Sequence, residues 1–308
     1  MPRAAGRGGG PRRVRLPGGR EVWGASRRDL PTLAREAGLE GGAGGGARGG
    51  AYLRRGLSLS PGDTVVDAGA NVGLFALAAW GQVGPRGRVV ACEPISVLAE
   101  ALRRNLAEAG APLSDVLECG LSDGCAASAD FTFYPACAGW STLAALEDPE
   151  EVARGVEAFL ERELTEGDPS GDAASPELRL ARALKAALPQ RAYLALQRRF
   201  IRRMLRSGRR ESAPLLRLSE VLRSRGLEHV DLLKVDVERS EAAVLAGVDA
   251  ADWPKIRQVA LEAHVADGNL DRCLALLRGP GGFEEVVSEP AGVNMQESGL
   301  FNVYARRA

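Results

Sequence analysis

The sequence predicts a doubly wound α/β fold, a mostly parallel sheet with an N-terminal cap and a helical insertion. Three observations predict it. From Gly62 onward, runs of β-branched residues alternate with helical stretches, the pattern of βαβ units on a parallel sheet. The first run, DTVVDAG, leads into a glycine turn that opens a helix. The alternation stops between residues 144 and 213 and then resumes, which marks that stretch as an insertion on the sheet scaffold.

Residues 1–55 read as a flexible N-terminus and a cap. Residues 1–12 hold Gly, Arg and Pro with nothing apolar to bury, and the Gly-rich stretch 41–50 is similar in kind. Between them, VRLPGGREVWG places two apolar-alternating runs around Pro-Gly-Gly, a β-hairpin, and Arg27 to Ala37 suits a short helix. Residues 56–308 form the main domain. Its elements are DTVVDAG as a strand, a helix to Trp80, GRVVACEP, the amphipathic Leu98 to Glu108, and DVLECGLSD. HVDLLKVDVE and IRQVALEAH continue the parallel sheet, and FEEVVSEP with GLFNVYAR forms a closing antiparallel pair.

The insertion reads as helices on both sides of a Pro/Gly/Asp/Ser-rich break at Asp168 to Pro176. Ala144 to Asp172 carries ten acidic residues against two arginines. Arg191 to Arg210 carries eight arginines and no acid, with Tyr193, Leu196, Phe200 and Met204 at helical spacing.

At 308 residues the chain buries a full core without disulfide or metal staples. Forty basic and forty acidic residues cancel, so the global field gives no reason to expect nucleic-acid binding. The five cysteines form no C-x-x-C pair and are odd in number, against a disulfide framework or zinc knuckle, and a reducing cytosol fits them. With no long uncharged apolar run and no signal-type segment, the expectation is a cytoplasmic protein, neither exported nor membrane-spanning.

The turn VVDAGANVG places Gly69 and Gly73 where the backbone must bend tightly and approach a ligand closely. Free N–H groups at the helix start can receive a carboxylate or a phosphate, so the loop alone does not name the cofactor. A dinucleotide fingerprint is G-x-G-x-x-G, whereas Asp67 and Asn71 here bracket G-x-N-x-G, with polar side chains where a pyrophosphate wants bare backbone. That spacing favours S-adenosylmethionine. Glu93 ends the next strand, where its carboxylate can accept both ribose hydroxyls, although Glu93 alone would suit NAD equally well.

At this point the chain resembles the FkbM family of S-adenosylmethionine-dependent O-methyltransferases, through VVDAGANVGLFA, ACEP, CGLSD, LLKVDVERSE and LEAH in the same order and spacing. The LPGGREV hairpin, AYLRRG and FTFYPACAGWSTL are also similar, particularly to members from polyketide assembly lines, and the insertion is the least matched part. The resemblance implies a class I methyltransferase domain, Rossmann-like. It implies that Asp67, Gly69, Asn71 and Gly73 hold the methionine end of the cofactor, Glu93 the ribose, and Leu121 with Ser122 the adenine, while Tyr52 closes over it. The family usually reads D-V-E-G-x-E, and Arg239 stands here in place of the glycine, which puts the geometry of that turn in question.

Methyl transfer to an alcohol requires alignment of the oxygen and removal of its proton. Asp236 with Glu238, and Glu262 with His264, stand at the carboxyl ends of two strands, where such sheets present their ligands. His264 is one of two histidines and the first choice as general base. Asp236 or Glu262 can orient the imidazole, bind the acceptor hydroxyl, or join His264 around a divalent cation, the weakest of these readings. His229 and Lys234 are assigned structural roles.

Arg198, Arg199, Arg202, Arg203 and Arg206 suggest docking of an acyl carrier protein that brings a tethered polyketide; pairing with the acidic half of the insertion is the equally weighted alternative. Nucleic acid suits this helix less, because no aromatic platforms interleave the arginines. Two other functions stay open. An NAD-dependent oxidoreductase is disfavoured, since no lysine has a tyrosine four residues before it. A methyltransferase-like interaction module without turnover is encouraged only by Arg239. The absence of any Pro-Pro argues against amino-group methyltransferases with an Asn/Asp-Pro-Pro-Tyr element.

Overall fold

The computed structural model describes residues 10–16, 19–25, 30–39, 50–135, 137–143, 157, 176–291 and 299–307. Alternate residues of the buried strands feed two different apolar layers, as the period of two requires. Val65, Val89, Ala91 and Leu232 belong to one layer, and Val66, Val90, Leu233 and Val235 to the other. A sheet buried on both faces must be covered by helices on both, and it is.

The central sheet has seven strands. β3 (Thr64–Ala68), β4 (Arg88–Cys92), β5 (Val116–Leu117), β10 (Leu232–Val235) and β11 (Gln258–His264) run parallel. β12 (Glu285–Pro290) and β13 (Leu300–Arg306) close it antiparallel, in the order β12-β13-β11-β10-β3-β4-β5. The chain leaves β3 towards β4 and later returns to β10 on the other flank. The strand order therefore reverses between β3 and β10, and a crevice opens at their carboxyl ends.

On one face, α2 (Leu74–Val83) and α3 (Ser96–Glu108) pack together with α1 (Leu30–Glu36) and the hairpin of β1 (Arg12–Arg15) and β2 (Glu21–Gly24). Asn105 on α3 is buried and donates to the carbonyls of Trp23 and Val72, at 2.9 and 2.7 Å, which staples the hairpin to the glycine turn. On the other face lie α6 (Leu218–Ser224), α7 (Glu241–Ala246) and α8 (Asn269–Arg278).

A second sheet differs from the sequence expectation. β6 (Gly120–Ser122), β9 (Arg209–Arg217), β7 (Ser128–Phe133) and β8 (Thr142–Leu143) form four strands in that order. The end of the expected insertion, to residue 213, is thus part of a strand. Pro214 is tolerated because β9 changes partner there: residues 209–214 pair with β7, and 215–217 with β6. Of the insertion, α4 (Pro176–Ala187) and α5 (Gln190–Leu205) confirm the helical reading of its second half. Its acidic first half, like the Gly-rich stretches 1–9 and 41–49, lies outside the described residues apart from Glu157. No helix among the described residues is long and apolar enough to cross a membrane.

Candidate active site

Gly69 and Gly73 are required by the protein's own packing. Gly69 has φ +75°, and a Cβ there would lie 1.8 Å from the carbonyl oxygen of Asp236, so the turn after β3 presses against the end of β10. Gly73 has φ +84°, and a Cβ would meet Leu102 Cδ1 at 2.3 Å, so it sets the approach of α2 to α3. Asn71 between them also has positive φ, +50°.

The five N–H groups of this turn are all engaged. Gly69 and Ala70 donate to the carbonyl of Cys92 at 3.1 and 2.9 Å, and Gly73 to that of Ala70 at 2.8 Å. Asn71 N–H donates to Glu93 Oε2 at 2.8 Å, and Val72 N–H to Asn71 Oδ1 at 2.8 Å. With these five groups engaged, neither a phosphate nor a carboxylate finds a free donor among them, so the turn itself does not decide between the two cofactors.

Glu93 is buried at the end of β4, and Ile95 N–H donates to its Oε1 at 2.9 Å. Burial raises its pKa to about 7 against the pull of the Ile95 and Asn71 N–H groups. Each oxygen takes one backbone donor and keeps a second acceptor position.

Lys234 occupies the switch point. Its ammonium is 3.1 Å from Asp67 Oδ1 and 3.4 Å from Asp236 Oδ2, and it donates to the Gly69 carbonyl at 2.8 Å. It also lies over the rings of Tyr52 and Phe75, 5.4 and 6.0 Å from their centroids. Burial alone would lower its pKa, but the two carboxylates more than offset that and raise it above the ordinary lysine value. Asp67 has no solvent exposure, and burial raises its pKa against the opposing effect of Lys234. Its contact with Lys234 is ionic, since neither carboxylate oxygen has an aligned hydrogen bond. The sequence reading of Lys234 as a paired strand lysine holds, with the addition that its partners are the acids of the crevice.

Tyr52 is buried edge-on to Phe75, centroids 5.2 Å apart, and its hydroxyl donates to Asp236 Oδ2 at 2.8 Å. Tyr304 on β13 donates to the Ala51 carbonyl at 2.7 Å and fixes this segment. Burial, then the charges of Asp236, Glu262 and Glu36, push the Tyr52 phenol well above its usual range.

His264 ends β11. Its Nε2 is 3.5 Å from Glu238 Oε2 and its Nδ1 3.6 Å from Glu241 Oε1. Burial alone would lower the imidazole pKa, but Glu241 and Glu238 overcome this and raise it to about 8. Glu238 is pushed up to about 8, chiefly by burial, with His264 opposing. Burial, with Asp236, Glu36 and Glu238, raises Glu262 well above the carboxylate range. The groups facing the ring are therefore Glu238 and Glu241, where the sequence pointed to Asp236 or Glu262. Glu241 and Asn269 were missed; the D-V-E-x-x-E spacing signals Glu241, and nothing in the sequence pattern signals Asn269.

Glu238 and Arg239 have φ +52° and +83°. Arg239 therefore keeps the left-handed turn that glycine makes easily, at a strain of roughly 1–2 kcal/mol. This departure alone gives no ground for loss of the turn. Leu121 and Ser122 stand on β6; no hydrogen bond or ion pair among the described residues links them to Glu93. His229 is at the opposite end of the sheet, 3.4 Å from Asp231. Among the described residues no group of three His, Cys, Asp or Glu side chains could hold a metal ion.

Residues 67–279 match the methyltransferase FkbM domain. The chain belongs to the FkbM methyltransferase family. It is 38% identical over 230 residues to the 31-O-demethyl-FK506 methyltransferase FkbM of Streptomyces tacrolimicus, covering 75% of this chain and 76% of that protein. It is 34% identical over 227 residues to methyltransferase sdnD of Sordaria araneosa, covering 70% and 72%. It is 33% identical over 261 residues to the AMB antimetabolite synthetase AmbE of Pseudomonas aeruginosa, covering 83% of this chain but 11% of AmbE. Among solved structures, Aeropyrum pernix fibrillarin with bound S-adenosyl-L-methionine aligns over 97% of this chain and 84% of its own, with TM-score 0.39 and 14% identity. This family member has a doubly wound, mostly parallel α/β sheet, and its cofactor is S-adenosylmethionine. The crevice fits that donor through Glu93, whose buried carboxyl keeps a second acceptor position on each oxygen at the end of β4, beside the glycine turn.

Proposed function

We propose that this methyltransferase acts on oxygen, transferring a methyl group to a hydroxyl of a secondary metabolite, a polyketide intermediate delivered on a carrier protein. One observation carries the oxygen assignment: His264 stands at the end of β11 among acids, beside the crevice between β3 and β10. The names of the similar FkbM and AmbE proteins support a natural-product acceptor.

When bound, S-adenosylmethionine supplies a methyl on a sulfonium, an electrophile that needs no further activation. In this reading Glu93 uses its two spare acceptor positions for the ribose hydroxyls. Gly69, Asn71 and Gly73 shape the methionine end, Leu121 and Ser122 flank the adenine, and Tyr52 closes over the donor. Asp67, with no exposed surface, acts through Lys234 and the turn. His264 Nε2 would accept the proton of the acceptor hydroxyl, and Asp236 or Glu262 would receive that hydroxyl, with Glu238 beside the base. Only the neutral imidazole accepts a proton, so turnover should rise as pH passes about 8.

Calorimetric donor titration with a methyl-transfer assay tests this. Asp67→Ala should lose donor binding, whereas His264→Ala should keep it and lose about 100-fold or more in turnover. Wild-type turnover in His264→Ala refutes the assignment of the base. Arg198, Arg199, Arg202 and Arg203 are exposed on α5, Arg206 is exposed just after its end, and the group complements an acidic carrier helix. Arg198 is 3.8 Å from Glu157, an exposed pair of little energetic weight. Unchanged turnover of a carrier-bound acceptor after charge reversal of these arginines rules out the docking.

A further inference from the structure

Glu241 opens α7 with no solvent exposure. Its Oε1 accepts the Arg239 N–H at 2.8 Å, and its Oε2 accepts from Asn269 Nδ2. Asn269, the first residue of α8, takes the Ala242 N–H on its Oδ1 at 3.1 Å and also donates to the His264 carbonyl at 3.3 Å. One side chain thereby ties the start of α7 to the end of β11. Into this brace points His264 Nδ1, a buried nitrogen without an aligned hydrogen bond, 3.6 Å from Glu241 Oε1. That distance is an ionic contact, longer than a hydrogen bond. A buried carboxylate fixed by two N–H donors cannot turn away from the ring.

We propose that Glu241, braced by Asn269, is the positioning residue for His264: it holds the Nδ1 proton, so that the lone pair of the neutral ring lies on Nε2, towards Glu238 and the acceptor. The kinetic consequence rests on the O-methyltransferase reading; the clamp itself is a property of the imidazole. The charged groups facing the ring are Glu238 and Arg239, from the turn after β10, and Glu241 from α7. Asp236 bears on Glu238 in turn, and α8 contributes the neutral Asn269. Two of the three charges that face the ring hold a proton on it, and Arg239 opposes them.

The chain has two histidines, so ring-proton NMR gives two titration curves, assigned with His229→Gln. Glu241→Gln should lower the His264 midpoint by about one pH unit or more and leave the His229 curve in place. Glu241→Asp, which keeps the charge, should give an intermediate midpoint. In the same variants the acid limb of kcat should move to lower pH and kcat should fall roughly tenfold in Glu241→Gln, with donor affinity unchanged. A His264 midpoint unmoved in folded Glu241→Gln overturns the clamp; should that variant not fold, an unmoved midpoint in Glu241→Asp does so. A shifted midpoint in a protein that methylates no hydroxyl leaves the clamp standing and removes the oxygen reading.

Discussion

Replacing Lys234 by methionine isolates the electrostatics of the switch point. Methionine keeps the length and apolar stem of lysine and deletes the charge that lies 3.1 Å from Asp67 and 3.4 Å from Asp236. Asp236 keeps the Tyr52 hydroxyl as a donor, whereas the Asp67 oxygens have no aligned hydrogen bond to fall back on. The variant therefore buries one uncompensated carboxylate, and breaking a buried pair in this way costs roughly 3–5 kcal/mol. The sign of the pH dependence follows. Asp67 already has a raised pKa beside Lys234, and without the ammonium it rises further above its unfolded value. The folded variant then binds more protons than the unfolded chain, so its stability recovers as pH falls through the folded-state pKa. Urea denaturation at pH 7.5 and 5.0, followed by circular dichroism, should show the deficit shrinking at the lower pH. In an Asp67→Asn background the same substitution should cost about 1 kcal/mol or less, because the orphaned charge is gone. A loss below about 1 kcal/mol at pH 7.5, or the same loss in both backgrounds, would refute the reasoning.

Two more outcomes follow from the geometry. The Glu93 carboxyl titrates near 7 in the free protein, so if its ionised form holds the ribose, donor affinity at pH 6 should be about tenfold below its plateau above pH 8; calorimetry on Glu93→Gln should give a weak, pH-independent affinity instead. Arg239→Gly should raise stability by about 0.5–1 kcal/mol, as relief of the +83° φ exceeds the extra entropy of an unfolded glycine, and a lower urea midpoint would mean that side-chain contacts dominate.

The βα turn was legible because its parts lie close in sequence: β3, the turn and α2 are contiguous, and Glu93 follows the next strand. The closing antiparallel pair was legible for the same reason. β9 was not, since RRESAPLLR has neither apolar alternation nor freedom from proline, and it is a strand only because β6 and β7 flank it in turn. Glu241 escaped notice because α7 must fold back on β11 before it meets His264. The glycines were located correctly, while the contacts that require them, Asp236 and Leu102, come from other elements.

The helical segment between β8 and β9 leaves and re-enters the fold at almost one place. Leu143 pairs with Phe131 and Arg209 with Phe133, so both ends are sewn to the same three residues of β7, on its two edges. A graft there would leave the scaffold's own strand pairings untouched. Exchange of that cassette between relatives is a route by which one donor platform could acquire new acceptors, with no residue of the β3 turn having to change.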